Sequence, residues 1–110
     1  MKARAEIDAG VCGFQTVVVA DCDDGQNVTI DVQSGCEKIR GIAAVLREKG
    51  ALDAYEEMGP ASGSTILGVA RERQKAGCAA CAVPIALFKA VQVAAGLALP
   101  KDISIKLSKE

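Results

Sequence analysis

The chain has 110 residues, half of which are apolar, and carries a formal net charge of -1. This length predicts one domain over residues 1–110, with a core that needs no disulfide staples. Near-neutral charge, with two phenylalanines, one tyrosine and no tryptophan, argues against nucleic-acid binding, which uses basic faces or aromatic platforms. The first residues lack the apolar stretch of a signal peptide, and the apolar runs are too short to span a bilayer. We therefore expect a cytoplasmic protein with reduced thiols and no membrane or nucleic-acid partner.

The first third of the chain has the two-residue alternation typical of β-strands. Apolar and polar residues alternate over 2–8 and again over 27–33, and a segment rich in Thr and Val covers 14–21. Asp23-Asp24-Gly25 is a hairpin-turn signal between the second and third of these segments. Together they predict an antiparallel meander with one buried face.

Helical spacing dominates the middle of the chain. Ser34 and Glu37 have the spacing of a capping box, which predicts a helix that begins there and ends at Gly50. The other predicted elements follow in chain order: a helical turn within 51–58, a loop over 59–64, a helix over 65–76, a helix over 84–95 with Pro84 in its first turn, and a strand over 103–107.

The order of these elements predicts the fold class. Strands come first, helices in the middle and one strand last, which is an α+β pattern: a small antiparallel sheet, made of the meander plus the C-terminal strand, with helices packed on one face. The helix over 84–95 is apolar on nearly all sides. It should therefore be buried in the core or lie at an interface, and a homodimer would cover it.

Four of the five cysteines fall at predicted turns and helix starts, in a chain without histidine. Cys12 lies in a turn, Cys36 at the start of a helix, and Cys78 and Cys81 form a Cys-x-x-Cys before the last helix. The meander returns the chain to the rim of the sheet that carries Cys12, and a last helix crossing the sheet would bring Cys81 there. Four thiolates would suit zinc or a small iron–sulfur cluster, so we expect Cys12, Cys36, Cys78 and Cys81 as ligands.

The order of three landmarks resembles the iron–sulfur assembly scaffolds of the NifU/IscU type. The landmarks are Cys12-Gly13 before a hairpin, Gly35-Cys36 at a helix start, and Cys81 before a late helix. The resemblance implies a SufE/NifU-like α+β fold, and it implies that Cys12, Cys36 and Cys81 converge on an iron–sulfur or zinc site. It also implies a sulfur donor or another assembly protein as partner. Phe14 stands where the scaffolds have an acidic residue, and Ala80 where they have a histidine.

A second resemblance lies towards the C-terminus. Val83-Pro84, followed by Lys89-Ala90 and by the stretch Ala95–Asp102, is similar to a group of small uncharacterised prokaryotic proteins. This resemblance implies no activity.

Two other interpretations of the cysteines stay open. One is a thiol redox or sulfur-transfer protein, in which Cys78 and Cys81 cycle through a disulfide or Cys36 carries a persulfide. The other is a non-catalytic interaction domain whose cysteines are small core residues. Cys22 lies between two aspartates at a strand end, where we expect a structural role, although it is an alternative fourth ligand.

Acid–base catalysis has little support in the sequence. Histidine is absent, and the adjacent acids Glu56-Glu57 and Asp23-Asp24 are predicted to be solvated surface residues. We therefore expect no catalytic residue, and a protein that binds, carries or senses metal rather than one that turns over a substrate.

Overall fold

A computed structural model describes residues 1–59 and 63–110. The middle of the predicted loop over 59–64 therefore lies outside the described residues. The elements in chain order are β1 (Lys2–Asp8), β2 (Gln15–Cys22), β3 (Asn27–Ser34), α1 (Glu37–Glu48), β4 (Leu52–Asp53), α2 (Ala54–Met58), α3 (Thr65–Arg73), a short 3-10 turn (Ala76–Cys78) and α4 (Val83–Ala94). The fold is α+β, as the sequence predicts, with a four-stranded antiparallel sheet in the order β1-β2-β3-β4.

The register of the meander places the apolar alternation on one face. Ala3 lies opposite Ala20 in β1 and β2, and Val18 lies opposite Val32 in β2 and β3. The helices cover this face: α4 contacts β1 and β2, while α1 contacts β3 and α3. On the other face β1 and β3 carry polar and charged residues, as expected for an antiparallel sheet with one solvated side, whereas the central strand β2 also carries the half-buried Val17 and Val19 there.

The start of α1 differs from the predicted capping box. Cys36, not Ser34, is the residue that precedes the first helical turn, and its side chain makes no capping hydrogen bond. Ser34 is still in β3, where its hydroxyl accepts from the Cys36 backbone N–H at 3.1 Å and bonds the Thr16 hydroxyl at 2.7 Å. The serine hydroxyl therefore anchors the chain three residues before the helix begins.

The segment predicted as a helical turn contains the fourth strand as well as α2. Leu52 pairs with Val28 and Asp53 pairs with Asn27, so β4 extends the sheet beyond β3. Asp53 then caps α2 by accepting from the backbone N–H groups of Tyr55 and Glu56 at 3.0 and 3.2 Å. One aspartate thus ends a strand and begins a helix, which explains the abrupt change of direction.

The predicted C-terminal strand over 103–107 does not form. All residues from Lys101 to Glu110 are exposed and without secondary structure, and Ile105 keeps 71% of its surface accessible. The alternation of apolar and polar residues is a local preference, whereas a strand also needs a partner edge. The fourth position in the sheet is taken by β4 instead.

The last helix is a core element. By length and composition, Ala76–Ala94 is the one stretch of the described residues apolar enough to cross a membrane. In the folded chain this stretch is divided into the 3-10 turn, the Cys78–Cys81 turn and α4. Six residues of α4 are buried, and the helix packs on the sheet and α3, which accounts for its apolar composition: Val83, Pro84, Leu87, Ala90, Val91 and Ala94.

Candidate thiol site

The turn that carries Cys12 and the start of α1 lie at the same end of the sheet, called the rim below, where β2 begins and β3 ends. The Gly35 backbone N–H donates to the Gln15 carbonyl at 3.3 Å. A Cβ at position 35 would lie 3.1 Å from the Phe14 ring, so glycine lets this ring pack against the backbone. The expectation that Cys12 and Cys36 lie on the same rim is therefore confirmed at the level of their segments.

Cys12 lies on the solvent side of this rim. It is exposed, in a turn closed by the Gly13 backbone N–H donating to the Gly10 carbonyl at 2.9 Å. Both glycines have positive φ, the left-handed region that glycine adopts without strain. The turn therefore presents this thiol to solvent.

Cys36 and Cys81 lie deeper. Each is partly buried and packs against the hydrophobic core, so each combines an apolar environment with limited access from solvent. Cys36 precedes α1, and Cys81 lies two residues before α4. Cys36 therefore links the rim to α1, whereas Cys81 lies where the Cys78–Cys81 turn leads into α4.

The Cys-x-x-Cys forms a tight turn. The Cys81 backbone N–H donates to the Cys78 carbonyl at 3.1 Å, and Ala79 has right-handed helical dihedrals. A four-residue turn of this kind holds its end Cα atoms within about 7 Å, and disulfides join Cα atoms about 4.4–6.8 Å apart. Both thiols are half-buried and unpaired by any disulfide. The backbone of this turn is therefore compatible with a disulfide between its two ends.

Lys38 brings a positive charge to the same turn. Its ammonium group donates to the Cys78 sulfur at 3.5 Å, across forty residues of sequence. A neighbouring lysine is one of the environments typical of reactive cysteines, whose thiolate is the nucleophile. The contact also joins the first turn of α1 to the Cys78–Cys81 turn.

Sequence reasoning did not single out this lysine, because the apolar periodicity of α1 places position 38 on the solvent face of the helix. Lys38 is exposed, in agreement with this position. The signal that could have found it is its place two residues after Gly35-Cys36, at the start of the helix predicted to share a rim with the other thiols.

An open groove borders the Lys38–Cys78 contact. It lies between α1 and α3 and is lined by Glu37, Lys38, Arg40, Gly41, Glu72 and Arg73. Its charges have both signs, and Arg73 approaches closely enough that a Cβ at Gly41 would lie 3.3 Å from its guanidinium. The groove is polar and shallow, a surface more typical of a protein contact than of a small-molecule pocket.

Cys22 lies at the other end of the sheet. It is 3% exposed, ends β2, and directs its sulfur to an Asp24 carboxylate oxygen at 3.6 Å. With a rise of about 3.3 Å per residue, β2 separates it from the rim of Cys12 and Cys36 by roughly 20 Å. Cys22 is therefore a core residue, and it cannot serve as a fourth ligand with them.

The four predicted ligands do not form a ready metal centre. Within 1–59 and 63–110, no group of three or more His, Cys, Asp or Glu side chains is arranged to hold a metal ion. A tetrahedral thiolate site needs sulfur atoms about 2.3 Å from one point. The donor set is present in the sequence, but the described arrangement does not fit a bound cluster.

Comparison with known proteins places the chain in a family without assigning an activity. Neither the curated proteins nor the solved structures gave a match. A family model does match, over residues 3–107, and it is described as a family of unknown function, DUF6951. The match leaves out the first two and the last three residues and includes every cysteine, and the chain therefore belongs to this family.

Proposed function

We propose that the chain is a thiol redox protein in which Cys78 and Cys81 cycle between the dithiol and the disulfide. The observation that carries the proposal is the contact between Lys38 and Cys78 at one end of a hydrogen-bonded Cys-x-x-Cys turn. The turn supplies a backbone separation suited to a disulfide, and the lysine supplies a charge beside the attacking sulfur.

The proposed reaction is thiol–disulfide exchange with a partner disulfide. The Cys78 thiolate attacks one sulfur of that disulfide, forms a mixed disulfide and releases the partner's other sulfur as a thiolate. The Cys81 thiolate then attacks the Cys78 sulfur, forms the intramolecular disulfide and releases the second partner sulfur. The protein pair loses two electrons, which the partner disulfide gains. Such a pair rests as the dithiol in a reducing compartment, in keeping with the cytoplasmic location predicted from the sequence.

The first test is disulfide formation in glutathione redox buffers. We expect oxidised glutathione to produce one intramolecular disulfide, which peptide mapping assigns to Cys78 and Cys81. Cys78→Ser and Cys81→Ser should each abolish it, whereas Cys12→Ser and Cys22→Ser should leave it intact. A folded protein whose thiols at 78 and 81 stay reduced in oxidised glutathione would reject the proposal.

The second test concerns the lysine. Lys38→Met should slow alkylation of Cys78 roughly two- to fivefold, the size of an exposed charge interaction, and high salt should diminish the difference. Lys49→Met, at the opposite end of α1, is the matched control and should alkylate at the wild-type rate. Equal slowing in both variants would show that Lys38 has no specific effect on the sulfur.

The iron–sulfur or zinc site at Cys12, Cys36, Cys78 and Cys81 remains a prediction from the landmark cysteines. It requires an arrangement of these side chains different from the one in the described residues. Metal and acid-labile sulfide analysis of protein purified without oxygen tests it, and stoichiometric iron or zinc lost in Cys36→Ala would favour it over the redox proposal.

A further inference from the structure

The outer edge of β1 is an unpaired strand edge. Within the described residues β1 is the outermost strand of the sheet, and β2 is its one partner. The residues that flank β1, Met1 and Ala9, hydrogen-bond the β2 side: the Met1 carbonyl accepts from the Cys22 backbone N–H at 3.0 Å, and the Ala9 backbone N–H donates to the Phe14 carbonyl at 3.3 Å. Antiparallel pairing alternates, so the odd-numbered residues bond β2 and the even-numbered residues direct their backbone N–H and C=O groups outward.

The side chains at these outward positions are all charged. They are Lys2, Arg4, Glu6 and Asp8, and they lie on the solvent face of the sheet. Charged residues often protect an edge strand from pairing. Here, however, two positive residues are followed by two negative residues. Two copies of the strand that run antiparallel therefore place residues of opposite charge next to each other.

We propose that two copies of the chain associate through their β1 edges, antiparallel, to form one eight-stranded sheet with Ala5 on the two-fold axis. In this register Arg4 lies opposite Glu6 of the second copy, and Lys2 lies opposite Asp8 of the second copy. The two-fold axis repeats both pairs, giving four ion pairs of opposite sign. The outward backbone groups also face each other, since even-numbered residues meet even-numbered residues.

No neighbouring register both pairs the outward backbone groups of the two strands and avoids like charges opposite each other. A shift by one residue places even-numbered positions opposite odd-numbered ones, whose backbone groups already bond β2. A shift by two residues in one direction places Arg4 opposite Arg4 of the second copy. A shift by two residues in the other direction places Glu6 opposite Glu6 of the second copy. Like charges directly opposite each other destabilise a sheet pair, so charge selects the Ala5-centred register.

The helix-covered face of the sheet is also compatible with association through the β1 edges. Ala3, Ala5 and Ile7 point towards the helices, and the pairs across the axis would be Ala5 with Ala5 and Ala3 with Ile7. These small and apolar pairs continue the face on which α4 packs. Both copies would therefore keep their helices on the same side of the joined sheet.

Charge reversal tests the register directly. We expect the wild-type chain to sediment with twice its 11.3 kDa mass at high protein concentration. Arg4→Glu and Glu6→Arg should each raise the dimer dissociation constant by about tenfold or more, because attractive pairs become repulsive. The double variant Arg4→Glu/Glu6→Arg should restore wild-type association. Arg71→Glu, which makes the same charge change on α3, should associate normally.

Hydrogen exchange gives a second readout that does not depend on charge. The amide protons of Arg4 and Glu6 should exchange slowly in the dimer and quickly in the Arg4→Glu monomer, while the odd-numbered amides stay protected in both. A wild-type chain that is monomeric at all concentrations would overturn the proposal. So would a dimer that the double variant fails to restore, or one that is lost when residues 101–110 are removed.

Discussion

At the scale of single residues, the buried charge of Glu57 is the largest departure from sequence expectation. The residue was predicted to be a solvated surface acid, yet it is 5% exposed. Its carboxylate accepts from the Ser64 hydroxyl at 3.0 Å and from the backbone N–H groups of Thr65 and Ile66 at 2.9 and 2.8 Å. These donors belong to the start of α3, where a negative charge is favourable. The prediction was wrong because the three partners lie seven to nine residues further along the chain.

We expect Glu57→Gln to lower the free energy of unfolding by roughly 1–3 kcal/mol. Both carboxylate oxygens accept hydrogen bonds, so in either orientation of the amide its NH₂ group would face a donor and leave that bond unmade. Urea denaturation measures the change. Glu48→Gln, on the exposed end of α1, is the control and should change stability by less than about 0.5 kcal/mol. Equal stability of the Glu57→Gln and wild-type proteins would contradict the anchoring role.

At the scale of elements, two aspartates organise the β2–β3 turn and the start of α2. Asp24 accepts from the Asn27 side chain at 2.8 Å and from the Asn27 and Gln26 backbone N–H groups at 2.7 and 2.9 Å. The Asn27 side chain is the main cause that holds the pKa of Asp24 far below its ordinary value. The Gln26 side chain, 2.7 Å from Asp53, is the main cause that lowers the pKa of Asp53.

These shifts predict a loss of stability in acid. Both carboxyl groups have lower pKa values in the folded protein than in the unfolded chain, where the pKa of an aspartate is about 3.9. Their contribution is therefore complete above the unfolded pKa and is lost as the pH falls below it towards the folded pKa. Unfolding measured from neutral pH to about pH 2 should show the decline, and Asp24→Asn/Asp53→Asn should flatten it. Asp102→Asn, in the exposed C-terminal segment, should leave the slope unchanged; a parallel decline in the double variant would refute the assignment.

At the scale of the whole molecule, the C-terminal segment lies outside the packed domain. Residues 101–110 are all exposed, although Ile103, Ile105 and Leu107 alternate with polar residues as a strand would. The core is complete without them, since the sheet face is covered by α1 and α4 and the last core residues precede Pro100.

We therefore expect removal of residues 101–110 to leave the thermal unfolding midpoint unchanged. A deletion that removes no buried residue and no ladder hydrogen bond has little packing energy to lose. Differential scanning calorimetry of the full and shortened chains measures this. A fall of more than about 4 °C, equivalent to ~1 kcal/mol in a domain of this size, would mean that the segment does pack as a strand.

Local sequence determines the elements whose signals are carried by neighbouring residues. The alternation in β1 and β3, the Asp-Asp-Gly turn and the helical spacing of α1 and α4 predict those elements close to their observed bounds, because strand and helix periods are properties of a few consecutive residues. The one buried face and the α+β class follow from the same patterns.

Tertiary structure decided the features that depend on residues distant in sequence. The pairing of β4 with β3, and the failure of residues 103–107 to pair with a strand of the sheet, depend on contacts between residues distant in sequence, and no periodicity encodes those contacts. The same holds for the site: the sequence identifies the thiols, but the contact between Lys38 and Cys78 joins residues forty positions apart and arises only when α1 packs beside the Cys78–Cys81 turn.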